Sequence, residues 1–233
     1  MRKAILLAVI AAATLTSCAS NQKKAEALVS KYLNTVLNDF KSYEPVSTIV
    51  DTLYDLPTWD KDVQAKAKKV LYYRKSAAKF KEEADAAQQD MYIWLPNFTQ
   101  YGKMKYDEAY TKFYTSSIMS FKQKIDEFKN ERDIVEMAAR FNPENQIGWM
   151  VEHKFRSNNA AGAAVLDDCL FLVDEGFKNV NAMYSSNNQE AADTMTEIMN
   201  ILQSKNDLAF YDKMISDYEG LVTTYEESLK KAH

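Results

Sequence analysis

The sequence predicts a mostly α protein of the α+β class: an elongated antiparallel helical bundle with one β-hairpin packed on it. Three observations carry this. Only five Gly and four Pro occur in 233 residues, whereas folds rich in turns consume more of both. Apolar residues recur at spacings of three and four over long stretches, the mark of amphipathic helices. The period changes to two only once, between about residues 146 and 174.

The first helix is read over roughly residues 22–42, where Ala25, Leu28, Val29, Tyr32, Leu33, Val36, Leu37 and Phe40 share a face. Glu44-Pro45 ends it, because the residue before Pro avoids helical geometry. Val46 to Leu56 is open: its Val, Thr and Ile favour a strand, yet Ile49, Val50 and Leu53 also suit a short helix. Thr58 or Asp60 caps a long helix to about Trp94, with Val63, Ala67, Val70, Leu71, Ala77, Ala78, Ala84, Ala87, Met91 and Trp94 in its inward stripe. Leu95-Pro96-Asn97 stops it, and Phe98 to Lys105 reads as a connection. A second long helix over about 106–141 carries Tyr110, Phe113, Ser117, Phe121, Ile125, Phe128 and Val135. Two long helices with a short link pack antiparallel.

After Asn142-Pro143, Ile147, Trp149, Val151, His153 and Phe155 fall on one face of a strand, and Gly148, Met150, Glu152, Lys154 and Arg156 on the other. Ala163 to Asp174 reads as a second strand, apolar on both faces. The segment around Tyr184 reads as a loop. Asn187 with Glu190 suggests a helix cap, and the stripe that follows loses phase at 204–207, so two helices or one broken helix close the chain. No internal repeat or linker composition divides it, which makes residues 25–233 a single domain.

The start of the chain carries an address. Arg2 and Lys3 precede an apolar run from Ala4 to Leu15, too short to span a bilayer and of the length of a secretory leader. Its ending, Leu15-Thr16-Ser17-Cys18, resembles the lipobox of bacterial lipoproteins. That resemblance implies a cleaved signal over residues 1–17, a lipidation site at Cys18, and a short tether over 18–24. Two further stretches, Ser42-Tyr43-Glu44-Pro45-Val46 and Ile147-Gly148-Trp149-Met150-Val151-Glu152-His153-Lys154-Phe155-Arg156-Ser157-Asn158-Asn159, are similar to small outer-membrane lipoproteins of unknown function in Bacteroidetes. The family implies anchoring in the outer membrane and no particular chemistry. Surface display in that group is tied to acidic residues after the lipidated Cys; Ala19-Ser20-Asn21-Gln22-Lys23-Lys24 has none, which points toward a periplasm-facing protein.

Cleavage would leave about 216 residues, enough for a sizeable core, with 27 basic against 33 acidic residues. This mild acidity argues against a nucleic-acid partner. Cys169 is then the only remaining thiol, so no internal disulfide forms. Within Cys-Leu-Phe-Leu-Val it reads as a small buried apolar residue.

No catalytic constellation is evident. The histidines are His153, on the apolar face of a strand, and His233 at the end. His153 reads as a hydrogen-bonded core histidine; its functional alternative is a base or ligand. The Glu-x-x-His pair of bundle metal sites is lacking, since Met150 and Lys230 stand three residues before the histidines. A Cys/His zinc set, an EF-hand and a Gly-rich phosphate loop are also lacking. No metal and no cofactor are expected. The neighbours Glu82-Glu83, Asp167-Asp168, Asp174-Glu175 and Glu226-Glu227 point apart on helices and strands, so solvated surface is their reading. Lys66 to Lys81 holds seven basic residues and no acid: either a solvated face or a dock for an anionic polymer, headgroup or acidic partner. Tyr32, Tyr110, Tyr211, Tyr218 and Tyr225 lie on helix stripes as core-edge residues, while Trp59, Trp94 and Trp149 are far apart in sequence. The expectation is a non-enzymatic structural or interaction module, tethered to the membrane through Cys18. The alternative is a carbohydrate- or anionic-polymer-binding accessory lipoprotein, and an enzyme using His153 ranks last.

Overall fold

The computed structural model describes residues 18–95 and 99–231. The leader over 1–17, the Pro96-Asn97 stop and His233 lie outside them. Among the described residues the chain is α+β, with five α-helices and one four-stranded antiparallel sheet. Where the sequence reads as a single domain, the contacts divide it into two compact units: residues up to Leu56 with Phe141–Asp193, and Pro57–Arg140 with Thr194 onward.

The first unit holds α1 (Cys18–Val36) and strands β1 (Glu44–Tyr54), β2 (Gln146–Asn158), β3 (Ala164–Asp174) and β4 (Val180–Ser185). The expected tether over 18–24 is instead the first part of α1, and this helix stops at Val36, short of residue 42. A 3-10 turn, Phe40–Ser42, leads into β1. The expected hairpin is present as β2 and β3, but it forms the middle of a sheet ordered β1-β2-β3-β4. A lone hairpin is marginal in water; the flanking strands supply the missing ladder bonds. Ala25, Val29 and Leu33 of α1, one turn apart, pack on Val151 and Phe155 of β2 and on Cys169, Phe171 and Val173 of β3. Tyr32 meets the Phe171 ring edge-on at 6.0 Å, a favourable aromatic geometry.

Gly148 is required by a close approach. It pairs with Leu53 on one side and Asp174 on the other, and a Cβ there would collide with the Val173 carbonyl oxygen.

The second unit holds α2 (Lys61–Trp94), α3 (Gln100–Ala138), α5 (Leu208–Lys231) and, from Thr194 onward, most of α4 (Gln189–Gln203). Asp60 is the N-cap of α2, its carboxylate accepting from the amides of Asp62 and Val63 at 2.9 Å. Thr99 caps α3 through the Gly102 amide, so the expected connection over 98–105 is mostly helix. Lys66 meets Asp133, Arg74 meets Glu127, and the Ser120 hydroxyl donates to the Ala77 carbonyl; partner numbers fall along α3 as they rise along α2, so the two run antiparallel. Small residues on both faces, Ala77 and Ala84 on α2 with Ser116 and Ser120 on α3, are buried at this seam. The aromatic face of α3 turns to α5, where Phe121 contacts Tyr218 and Tyr225, and Phe128 contacts Tyr211 and Tyr218. Asn188, one residue later than expected, caps α4. The break at 204–207 separates α4 from α5, with Asp207 capping the latter.

Candidate functional sites

Each unit buries one polar constellation. In the sheet unit, strand alternation places His153 inward between Val151 and Phe155, and the register sets it opposite Thr48 on β1 and Cys169 on β3. His153 is fully buried. Both its ring nitrogens are engaged: Nε2 with the Tyr43 hydroxyl at 2.8 Å and Nδ1 with the Thr48 hydroxyl at 2.9 Å. A neutral imidazole offers one donor and one acceptor, and either hydroxyl can complement either role. Tyr43 follows the 3-10 turn, where its ring stacks on Phe40 at 5.0 Å, and its hydroxyl also interacts with Ser30 of α1. Burial pulls the His153 pKa below its ordinary value, against an opposing pull from Glu26, so the ring is neutral at physiological pH. Burial pushes the Cys169 thiol up to about 11, with Asp167 and Asp168 adding to the rise.

The chemistry of this group is limited by its surroundings. A hydroxyl beside an imidazole is the pairing that nucleophilic catalysis uses, with a carboxylate orienting the ring from behind. Here the orienting position holds a phenol, the ring has no exposed surface, and the neighbouring thiol stays protonated. The constellation satisfies polar groups inside a core, as the sequence reading of His153 holds.

In the helical unit the central group is Arg74. The sequence reading counts it as one more cation of the 66–81 stretch; the structure places it in line with the inward stripe of α2, four residues after Val70 and three before Ala77, with its side chain still 43% exposed. Its Nε donates to Glu127 at 2.7 Å, its Nη1 and Nη2 fork onto both oxygens of Glu197 at 2.8 Å, and Nη2 also reaches Glu131 at 2.8 Å. Lys124 holds the second oxygen of Glu127 at 2.7 Å. All three carboxylates are buried. Burial works against the Arg74 charge, but hydrogen bonds from Glu197 and Glu127 outweigh it and raise its pKa. Three carboxylates face two cations, and the imbalance falls on Glu131: burial first, then Glu127, lifts its pKa to about 6. Sequence reasoning missed this cluster, although heptad spacing carries it: Glu127 lies seven residues after Ser120 and seven before Ile134, all three buried on α3.

The remaining expected features separate. Lys66, Lys79 and Lys81 have carboxylate neighbours in Asp133, Glu83 and Asp85, so together with Arg74 four of the seven cations of the basic stretch stand beside a carboxylate. Trp59 and Trp94 stand at opposite ends of α2, about 50 Å apart for a helix of 34 residues. Trp149 belongs to the sheet unit, where it stacks on Phe177 at 5.3 Å and donates to the Glu175 carbonyl. Among the described residues no group of His, Cys, Asp and Glu is disposed to hold a metal ion, and no helix is long and apolar enough to cross a membrane. Comparison with family models, with curated proteins and with solved structures finds no match.

Proposed function

We propose that this chain is an envelope lipoprotein, anchored in the outer membrane through acylated Cys18 and facing the periplasm, that works as a non-enzymatic structural or interaction module. The observation that carries the reading is the leader: a basic start, an apolar run too short to span a bilayer, and Leu15-Thr16-Ser17-Cys18 at its end. The course of α1 is compatible with it. The helix begins at Cys18 and reaches its first core residue, Ala25, seven residues later, about 10 Å along the axis. Acyl chains on Cys18 would thus hold the sheet unit close to the bilayer rather than on a long leash. Two chains of acyl carbon are what stable anchoring requires. The non-enzymatic part rests on how the reactive side chains are used: His153, Thr48 and Cys169 are buried together, and Arg74 is bound to three carboxylates.

Cys18→Ala tests the anchor. The substituted chain is expected in the soluble fraction after lysis, the parent in the membrane pellet; a substituted chain that pellets like the parent contradicts the reading.

A further inference from the structure

We infer that α4 is a proton-controlled latch: it is held on α2, α3 and α5 while Glu131 carries a proton, and it opens more readily once Glu131 ionises. The balance of charge carries the inference. Two cations, Arg74 and Lys124, serve three carboxylates, Glu127, Glu131 and Glu197. Two arrangements come out even. With α4 in place and Glu131 neutral, Glu127 and Glu197 match the two cations. With α4 lifted, Glu197 leaves with it, and Glu127 together with an ionised Glu131 match them instead. With α4 in place and all three carboxylates ionised, one negative charge is left over among side chains that are 2%, 8% and 5% exposed. An uncompensated charge in such surroundings is costly, and lifting α4 relieves it.

The groups around Glu131 come from all four helices of this unit. From α2 comes Arg74, whose Nη2 is shared between Glu131 and Glu197. From α3 come Glu127 and, beyond it, Lys124; Arg132, next in the chain, is engaged with Asp212 and Glu136. Glu197 comes from α4. From α5 comes Tyr211, fully buried, its hydroxyl kept neutral by a burial that raises its pKa. Glu131 titrates at about 6 because of burial and then Glu127; lifting α4 admits water and removes Glu197, which returns it toward 4.5. The helix is also built to let go. It buries four side chains, Thr194, Glu197, Ile198 and Ile201, only two of them apolar, so the fork of Arg74 onto Glu197 is a large share of its hold. Its exit is strained: Lys205 stands at a φ of 57°, in the left-handed region that side chains disfavour. Ser204 and Asn206, on either side of Lys205, hydrogen-bond the Tyr211 side chain, so the bend after α4 is tied to the same cluster.

The test is amide hydrogen exchange over residues 194–203 of the full chain carrying Cys18→Ala, at pH 4.5 and pH 7, corrected for intrinsic rates. No acyl group enters, so the outcome is independent of the anchor. The distance between 4.5 and about 6 sets the expected size: protection of α4 is higher at pH 4.5 on the order of tenfold, and the gain over α2 and α3 is smaller. Glu131→Gln keeps the shape of the side chain and fixes it neutral. In that variant α4 is expected to be as protected at pH 7 as at pH 4.5, and better protected at pH 7 than in the parent. Glu136→Gln, on an exposed side chain of the same helix, is the control and is expected to keep the parent's dependence on pH. Equal or lower protection of α4 at pH 4.5, or a gain shared equally by α2, α3 and α4, overturns the inference. So does a Glu131→Gln variant that keeps the parent's dependence or protects α4 less than the parent at pH 7, and so does a control that loses the dependence.

Discussion

The two units solve one problem in opposite ways. Each buries polar side chains in its interior, and burial without compensation is expensive. The sheet unit compensates with neutral partners: two hydroxyls take the two nitrogens of an uncharged imidazole. The helical unit compensates with charge: one guanidinium gathers three carboxylates, and a lysine covers one of them. Neutral pairing costs less to assemble and less to lose. An ionic cluster is expensive to desolvate and severe to break, because removing one member strands the others. The contrast also sets the response to acid. His153 titrates below its ordinary 6.5, so the unfolded chain takes up a proton first and the sheet unit loses stability as pH falls below about 6.5. Glu131 titrates at about 6, above its ordinary 4.5. The folded chain takes up that proton first, so its contribution is full below about 4.5 and is lost as pH rises through 6.

Breaking the ionic cluster is expected to have the largest effect. Arg74→Met leaves Glu127, Glu131 and Glu197 buried without their common partner and is expected to cost about 3–5 kcal/mol, read as a lower denaturant midpoint for the helical signal. Arg74→Lys keeps the charge but loses the fork onto Glu197, and its loss should be smaller than that of Arg74→Met. In the sheet unit, His153→Phe fills the space but leaves the Tyr43 and Thr48 hydroxyls without their partner; the expected cost is about 2–3 kcal/mol. A similar loss, about 2 kcal/mol, is expected for Gly148→Ala from the forced shift against β3, with the near-ultraviolet signal of Trp149 as a local reporter. Glu131→Gln has the smallest effect in magnitude and the most informative sign. It removes a charge that the cluster cannot fully balance, so stability near pH 7 should stay level or rise by up to about 2 kcal/mol. Its dependence on pH between about 4.5 and 6 should flatten. A loss of several kcal/mol in Glu131→Gln would mean that all three carboxylates are needed in ionised form.

The same contrast explains what was legible in the sequence. Helices α2 and α3 announce themselves through long apolar stripes, and Asp60 through its place before one. The strand β2 shows because four of the five residues read on one face, Ile147, Trp149, Val151 and Phe155, are apolar or aromatic, His153 being the fifth. Strand β1 is ambiguous for the reason the site exists: its core-facing residue opposite His153 is Thr48, while Val46 and Ile49 on the same strand are exposed. A polar residue inside and apolar ones outside erase the alternation that identifies a half-buried strand. Strand β4 is only six residues long, with Asn181 exposed near its start, and edge strands of that length leave little pattern. Gly148 gives no signal at all, since the collision it avoids is with Val173 on another strand. The Arg74 cluster was within reach, but counting charges along 66–81 hid the phase of one of them. Charge composition reads as surface; charge at core spacing reads as a buried network, and only the second distinguishes Arg74 from its neighbours.

The central claim is that buried polar groups in this protein serve cohesion, by neutral pairing in one unit and ionic pairing in the other. Amide hydrogen exchange resolved along the chain, compared at about pH 7 and about pH 5 after correction for intrinsic rates, tests it most directly. The account predicts opposite movements: protection over β2 and β3 falls on acidification, while protection over α2 and α3 around Arg74 holds or rises. Protection falling together in both units, or unchanged over β2 and β3, would contradict it.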